Sequence, residues 1–264
     1  MMNFIKNLEY KMKLKIIPCL IFLIIFSVNN YSQKKNNRTL FQTSPIISLL
    51  NGVMNDSITI GEITKYGDFG LGTFNGVDGE MVVLNKRVYR VDYDGKVNKP
   101  LSTEKTPFAS VTFFHSDKSF KLNEGMNFKK FIKTLDENIS SNNLIYAIKV
   151  TGSFVSMETR SESKQTKPYS NLADVLKNQS VFKFRNIDGT LVGFKFPNYM
   201  NGVNVPGYHF HFLSSDKKSG GHVLDFTSGN LTVEIETINN FEMSFPKTKE
   251  FLKADFDKKP TPGL

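Results

Sequence analysis

Gly207-Tyr208-His209-Phe210-His211-Phe212-Leu213 is followed, seven residues on, by Gly221-His222-Val223-Leu224-Asp225-Phe226. From His209 onward imidazole and phenylalanine alternate strictly. Residues i and i+2 of a strand project to the same face, so this segment reads as a strand with His209 and His211 on one side and Phe210 and Phe212 on the other. The intervening Ser214 to Gly221 (Ser-Ser-Asp-Lys-Lys-Ser-Gly-Gly) reads as a hairpin loop, with His222 at the start of the returning strand. A hairpin nearly symmetric about residues 216–217 puts His222 opposite His211 or close to it. Cross-strand neighbours on one face have Cβ atoms about 4.5–5.5 Å apart, a separation that suits two imidazoles on one metal ion.

Three histidines with an open fourth position describe a catalytic zinc site, although iron, copper, nickel and cobalt also accept imidazole. The competing reading is a half-buried sheet face with structurally satisfied histidines. The chain has four histidines; the fourth, His115, sits alone before Ser116-Asp117 and reads as a surface residue. Cys19 is the single cysteine and lies in the N-terminal segment, so past residue 32 a metal site can use only nitrogen and oxygen ligands.

Outward from the hairpin the pattern is sheet-rich. Strands are expected at Ile58–Thr64, Leu71–Phe74, Met81–Leu84 and Val88–Tyr93 (a hairpin turning at Asn85-Lys86), and at Phe108–Phe114. Further strands are expected at Asn143–Gly152, with Ser153–Thr159 as its partner, and at Val181–Phe184 and Thr190–Phe196 as a hairpin around Asp188-Gly189. Tyr208–Leu213, His222–Phe226 and Leu231–Ile238 complete the set. Helices are expected after Ser44-Pro45, over Asn127–Ile139, after a Ser170 or Asn171 cap, and from Pro246. Residues 33–42 read as a flexible lead-in. About ten strands and four short helices define an α+β class, a sheet-rich mixed α/β fold. A loose boundary in the polar stretch Ser161–Ser170 divides the mature chain into a sheet-rich half over 33–160 and a C-terminal half over 161–264 that carries the histidines.

The first 32 residues read differently. Lys6, Lys11, Lys13 and Lys15 precede an apolar run from Ile16 to Val28, and a short polar end follows. This is the layout of a secretory signal peptide, with an uncleaved membrane anchor as the competing reading. The run is shorter than the roughly 20 residues of a transmembrane helix. Export to a periplasm or the medium is therefore expected. Removing residues 1–32 takes the basic and acidic counts from 34 and 25 to 30 and 24, so the formal charge falls from +9 to +6. The remaining basic residues are scattered, with no basic stripe interleaved with aromatics, which argues against nucleic acid as a partner.

Several further segments, in order, resemble the α-acetolactate decarboxylase family. They are Leu40-Phe41-Gln42-Thr43-Ser44, Gly67-Asp68-Phe69-Gly70-Leu71-Gly72-Thr73-Phe74, Val77-Asp78-Gly79-Glu80, Tyr146-Ala147-Ile148-Lys149-Val150-Thr151-Gly152, and Thr159-Arg160-Ser161 with Lys164-Gln165. Lys167-Pro168-Tyr169, Gly189-Thr190-Leu191-Val192-Gly193-Phe194 and the two histidine segments follow. The resemblance implies a two-part sheet-rich fold, usually a homodimer, with zinc on His209, His211 and His222 and active-site roles for Thr73, Glu80 and Arg160. By pattern alone Glu80 reads as a solvated residue after an Asp-Gly turn, and Arg160 as a strand-end residue. The implied reaction takes a small 2-hydroxy-3-keto acid, 2-acetolactate, to acetoin and carbon dioxide, with the metal chelating the ketone and hydroxyl oxygens. A zinc hydrolase and a non-catalytic metal- or ligand-binding sheet module are the alternatives. Two positions depart from the family pattern. Glu162-Ser163 stands where the family more often has Val-Pro, and the family's carboxylate from an extended C-terminal tail is either missing here or replaced by Glu250.

Overall fold

The computed structural model describes residues 38–56 and 58–257; the expected signal peptide lies outside them. Among the described residues no helix is long and apolar enough to cross a membrane. The strands form two sheets. The first has seven strands: β1 (Thr39–Thr43), β2 (Phe69–Thr73), β3 (Glu80–Leu84), β4 (Arg87–Val91), β5 (Val97–Asn98), β6 (Ala109–Thr112) and β12 (Asn240–Ser244). Their spatial order is β12-β1-β6-β2-β3-β4-β5. The second sheet contains β7 (Lys118–Leu122), β8 (Ile145–Ser161), β9 (Ser180–Phe196), β10 (Gly207–Ser214) and β11 (Gly220–Ile238) in the order β10-β9-β8-β11-β7. All pairs are antiparallel except β1 with β12. Strand β10 also pairs with β11, so β8, β9, β10 and β11 close on one another at the histidine end.

The sheet-rich α+β class is the one the sequence predicts. Several element boundaries differ, each for a physical reason. Asn143–Gly152 and Ser153–Thr159 are one strand, β8, rather than a hairpin. Gly152 marks a close approach instead of a turn, since a Cβ there would lie 2.1 Å from the carbonyl oxygen of Asn230. Asp188-Gly189 is likewise mid-strand in β9, and a Cβ on Gly189 would meet the Phe212 ring at 2.2 Å. A glycine inside a strand pattern signals such contacts as often as a turn. His222–Phe226 and Leu231–Ile238 merge into β11 through register shifts between Thr227 and Leu231. The expected strand Ile58–Thr64 is a short helical turn: Ile60–Ile63 is capped by Thr59 and Glu62, which bond each other's backbone N–H reciprocally. Thr59-Ile60-Gly61-Glu62 is a capping-box sequence, and its local bonds outweigh β propensity. The expected lead-in over 33–42 instead enters β1 at Thr39, held between β6 and β12.

The sheets do not divide the chain at residue 160. Strands β7 and β8 sit with the C-terminal strands, and β12 returns to the first sheet. The sheets pack face to face. Phe69, Leu71 and Val82 of the first meet Ala147, Val192 and Phe194 of the second in one buried cluster, with Phe69 and Phe194 edge to face at 5.9 Å. The helix Phe128–Asn138 covers the outer face of the second sheet. Its Phe131 and Leu135, both fully buried, pack with Phe210, Phe226 and Phe154. Phenylalanine thus takes the helix side of the His-x-His strand and leaves imidazole to the side facing the first sheet.

Alternation also explains a feature that carries function. Tyr146, Ile148, Val150 and Phe154 of β8 face the helix, but so does Met157. The alternation therefore slips by one residue between Phe154 and Met157, where the pairing with β11 also shifts. Beyond the slip, Arg160 and Glu162 turn to the inner side.

Candidate metal centre and active site

Strand register builds the histidine group. His211 pairs directly with His222 across β10 and β11, and His222 pairs on its other side with Arg160 of β8. His209 shares the face of His211, two residues away. His209 Nε2 lies 3.2 Å from His211 Nε2 and 3.1 Å from His222 Nδ1. The ligand atoms of the three rings all lie within 4.8 Å of one another, and this is the cluster of metal-ligating type found among the described residues. A tetrahedral zinc with Zn–N bonds of about 2.0–2.1 Å separates its ligand nitrogens by about 3.3 Å, so the spacing fits that ion.

Protonation also fits. Burial lowers all three imidazoles, reinforced by Arg160 and, for His209 and His222, by neighbouring rings. His211 is brought down to about 3, and His209 and His222 fall well below the ordinary value. Neutral rings offer lone pairs to a metal. His211 Nδ1 lies 2.7 Å from the carbonyl oxygen of Met81, which can only accept, so Nδ1 carries the hydrogen and Nε2 is free to ligate. That bond ties β10 to β3 of the other sheet. His209 Nδ1 is buried with no hydrogen-bond partner among the described residues. His115 is exposed and remote from this group.

The histidines form one wall of a cavity of about 450 Å³. Thr73, Glu80, Arg160 and Glu162 add polar groups, while Leu172, Leu176, Val205 and Leu224 line the apolar side. Glu80 opens β3 opposite Thr73 of β2, and both have the parity of Val82 and Leu71, which face the second sheet. The Asp78-Gly79 turn therefore aims Glu80 inward: it is 6 % exposed, and its Oε2 lies 3.2 Å from His211 Nε2. Burial, chiefly, and the charge of Glu162 push the Glu80 carboxyl well above its ordinary range, opposed by Arg160. Thr73 Oγ1 donates to the Gly79 carbonyl at 2.8 Å. Arg160 Nη1 donates to Gln179 Oε1 at 2.8 Å, and its Nε, 3.7 Å from Glu162, is buried without a hydrogen-bond partner.

All six residues singled out in the sequence are thus brought to one cavity. Glu162 joins them in the cavity unforeseen, and Gln179, which is not among the lining residues, holds Arg160. The signal for Glu162 was its i+2 relation to Arg160, hidden because the strand was expected to end near Thr159; Gln179 carried none. Glu250 does not line the cavity. It pairs with Lys167 on the surface.

Fold and site together define a two-sheet α+β protein with a partly buried three-imidazole centre beside an arginine and two carboxyl groups. A family profile described as alpha-acetolactate decarboxylase matches residues 40–258. The alpha-acetolactate decarboxylase of Methanosarcina mazei is 44% identical over 219 residues, covering 82% of this chain and 75% of that protein. That of Methylococcus capsulatus is 43% identical over 216 residues, covering 82% and 83%. The crystal structure of alpha-acetolactate decarboxylase from Bacillus subtilis strain 168 superposes with a TM-score of 0.82 at 39% identity, covering 83% of this chain and 94% of that one. The chain belongs to the α-acetolactate decarboxylase family.

Proposed function

We propose that this protein decarboxylates 2-acetolactate, the (S)-2-hydroxy-2-methyl-3-oxobutanoate form, to (R)-acetoin and carbon dioxide, with zinc held by His209, His211 and His222. The observation that carries the reading is the convergence of three neutral imidazoles with the Arg160 guanidinium in one cavity, in a chain of this family. Bound there, zinc supplies Lewis acidity toward the ketone and hydroxyl oxygens, so that charge developing as carbon dioxide leaves is stabilised.

The protein's own groups supply orientation and a proton. Arg160 is held at Nη1 by Gln179, has Glu162 beside its Nε, and offers its guanidinium to the substrate carboxylate, a charge-assisted contact. Thr73 has given its hydroxyl hydrogen to the Gly79 carbonyl, so its oxygen accepts from the substrate hydroxyl. Leu172, Val205 and Leu224 exclude water from the methyl-bearing side. Loss of carbon dioxide leaves an electron pair at the former carboxyl-bearing carbon, and one proton must arrive there to complete acetoin. Glu80, whose protonated form burial favours, is the donor, delivering from one face. The basic and apolar leader of residues 1–32 supports export of the enzyme.

The test is acetoin formation from racemic acetolactate by purified residues 33–264, before and after chelation and with zinc returned. Activity lost to the chelator and restored by zinc supports the whole reading. A folded, zinc-loaded protein without turnover overturns it in favour of a hydrolytic or binding role. Retention of full activity and product handedness by Glu80→Gln would remove Glu80 as the donor.

A further inference from the structure

Glu162 is a buried charge with no place in the mechanism above. It is 3 % exposed, directly follows the last residue of β8 and lines the cavity. Its carboxyl group lies 3.7 Å from Arg160 Nε and within hydrogen-bonding reach of Glu80. The side-chain partners it has among the described residues are therefore the two groups to which orientation matters most. It makes no ladder bond with its side chain and anchors no loop. Burying a carboxylate costs stability unless its partners compensate, and a valine would fill a strand-end site without that cost. Glu250, the candidate stand-in for the family's C-terminal carboxylate, supplies no cavity carboxylate, because it sits on the surface with Lys167.

We infer that Glu162 is a positioning residue of this active site, holding Glu80 and Arg160 in their reactive orientations by a hydrogen bond to one and an ion pair to the other. The inference rests on the decarboxylase reading. One carboxyl group bridging the proton donor and the carboxylate-binding arginine couples the two ends of the reaction. The leaving carboxylate is fixed on Arg160 while Glu80 is kept aimed at the carbon it leaves. Arg160 retains Gln179 as a second anchor, whereas Glu80 has no second side-chain anchor apart from His211. Loss of Glu162 therefore disturbs proton delivery more than substrate binding. The slip in β8 alternation between Phe154 and Met157 brings Glu162 to this face together with Arg160.

The experiment compares the wild-type chain with Glu162→Val, Glu162→Ser and Glu162→Gln in steady-state decarboxylation of acetolactate, reading kcat, KM and the enantiomeric excess of acetoin. Enantiomeric excess does not depend on how much enzyme is active, so a merely structural role leaves it unchanged. Valine and serine are expected to lower kcat at least tenfold with KM within threefold, and to reduce the enantiomeric excess. Glutamine, whose amide can bond to both partners, is expected to restore kcat to within threefold of wild type and the enantiomeric excess in full. Serine leaves a gap open to the cavity and decides the matter if the valine variant does not fold. Valine and serine variants with kcat within twofold of wild type and unchanged enantiomeric excess overturn the inference. So does a glutamine variant as impaired as valine. A wild-type chain that forms no acetoin overturns the decarboxylase reading itself, an outcome distinct from both.

Discussion

Glu236→Gln should make the protein more stable at neutral and mildly alkaline pH and leave it nearly unchanged near pH 4. Glu236 lies on β11, far along the strand from His222, and is 0 % exposed. Its Oε2 accepts the His115 backbone N–H at 3.0 Å, while Oε1 is buried without a hydrogen-bond partner. Burial raises its carboxyl from an ordinary 4.5 to about 7; Asp117 and Asp68 add to the rise, and the His115 N–H and Arg38 oppose it. The folded state therefore binds more protons than the unfolded state between these values, and unfolding free energy falls with rising pH across that window. The contribution is fully present below about pH 4.5 and is lost as pH climbs through about 7. At about 1.4 kcal/mol per pKa unit the loss is at most about 3.5 kcal/mol. Glutamine cannot titrate. Its amide oxygen keeps the His115 bond, and its NH₂ places donors where Oε1 has none, beside a region carrying the charges of Asp68 and Asp117. Urea unfolding of both proteins at pH 4, 5, 6, 7 and 8 should show the difference growing from near zero to about 1–3 kcal/mol in favour of glutamine. Curves that run parallel across this range would refute the reasoning, since every other titrating group is common to the two proteins.

Replacing Arg160 by lysine keeps the charge but loses the planar fork and the Gln179 bond, and kcat/KM for acetolactate should fall at least about thirtyfold, or about 2 kcal/mol, in steady-state assays. Gly189→Ala would push a methyl group into the Phe212 ring, 2.2 Å from its nearest atom, and should cost about 1–3 kcal/mol in chemical denaturation. Phe131→Ala removes a fully buried ring from between Phe210 and Phe226 and should cost about 3–5 kcal/mol by the same measurement. The last two changes touch no cavity residue, so folded protein should keep its kcat.

The parts of this protein written locally were legible. Strict His/Phe alternation placed the imidazoles on one face, and the loop length put His222 opposite His211 or close to it; the register pairs the two directly. The helix over Phe128–Asn138 followed from its apolar spacing and the Asn127 cap. Misreadings came from residues whose local meaning is ambiguous. Gly152 and Gly189 looked like turns because glycine permits them, yet each is small to admit a neighbour: the Asn230 carbonyl for one and the Phe212 ring for the other. Thr59 and Glu62 were read as strand residues although their spacing is that of a capping box.

The sequence by itself determined the sheet-rich class, the three-histidine face and the family, because alternation and loop length are properties of neighbouring residues. Tertiary structure alone decided where Arg160 and Glu162 point. The one-residue slip in β8 turns them from the helix side to the cavity side, and no local pattern specifies it. Tertiary structure also made Glu80 a buried acid rather than a solvated turn residue. Its surroundings come from the opposing sheet, through His211, Arg160 and Glu162, which stand between 80 and 131 residues away along the chain and are brought near only by the closing of one sheet over the other.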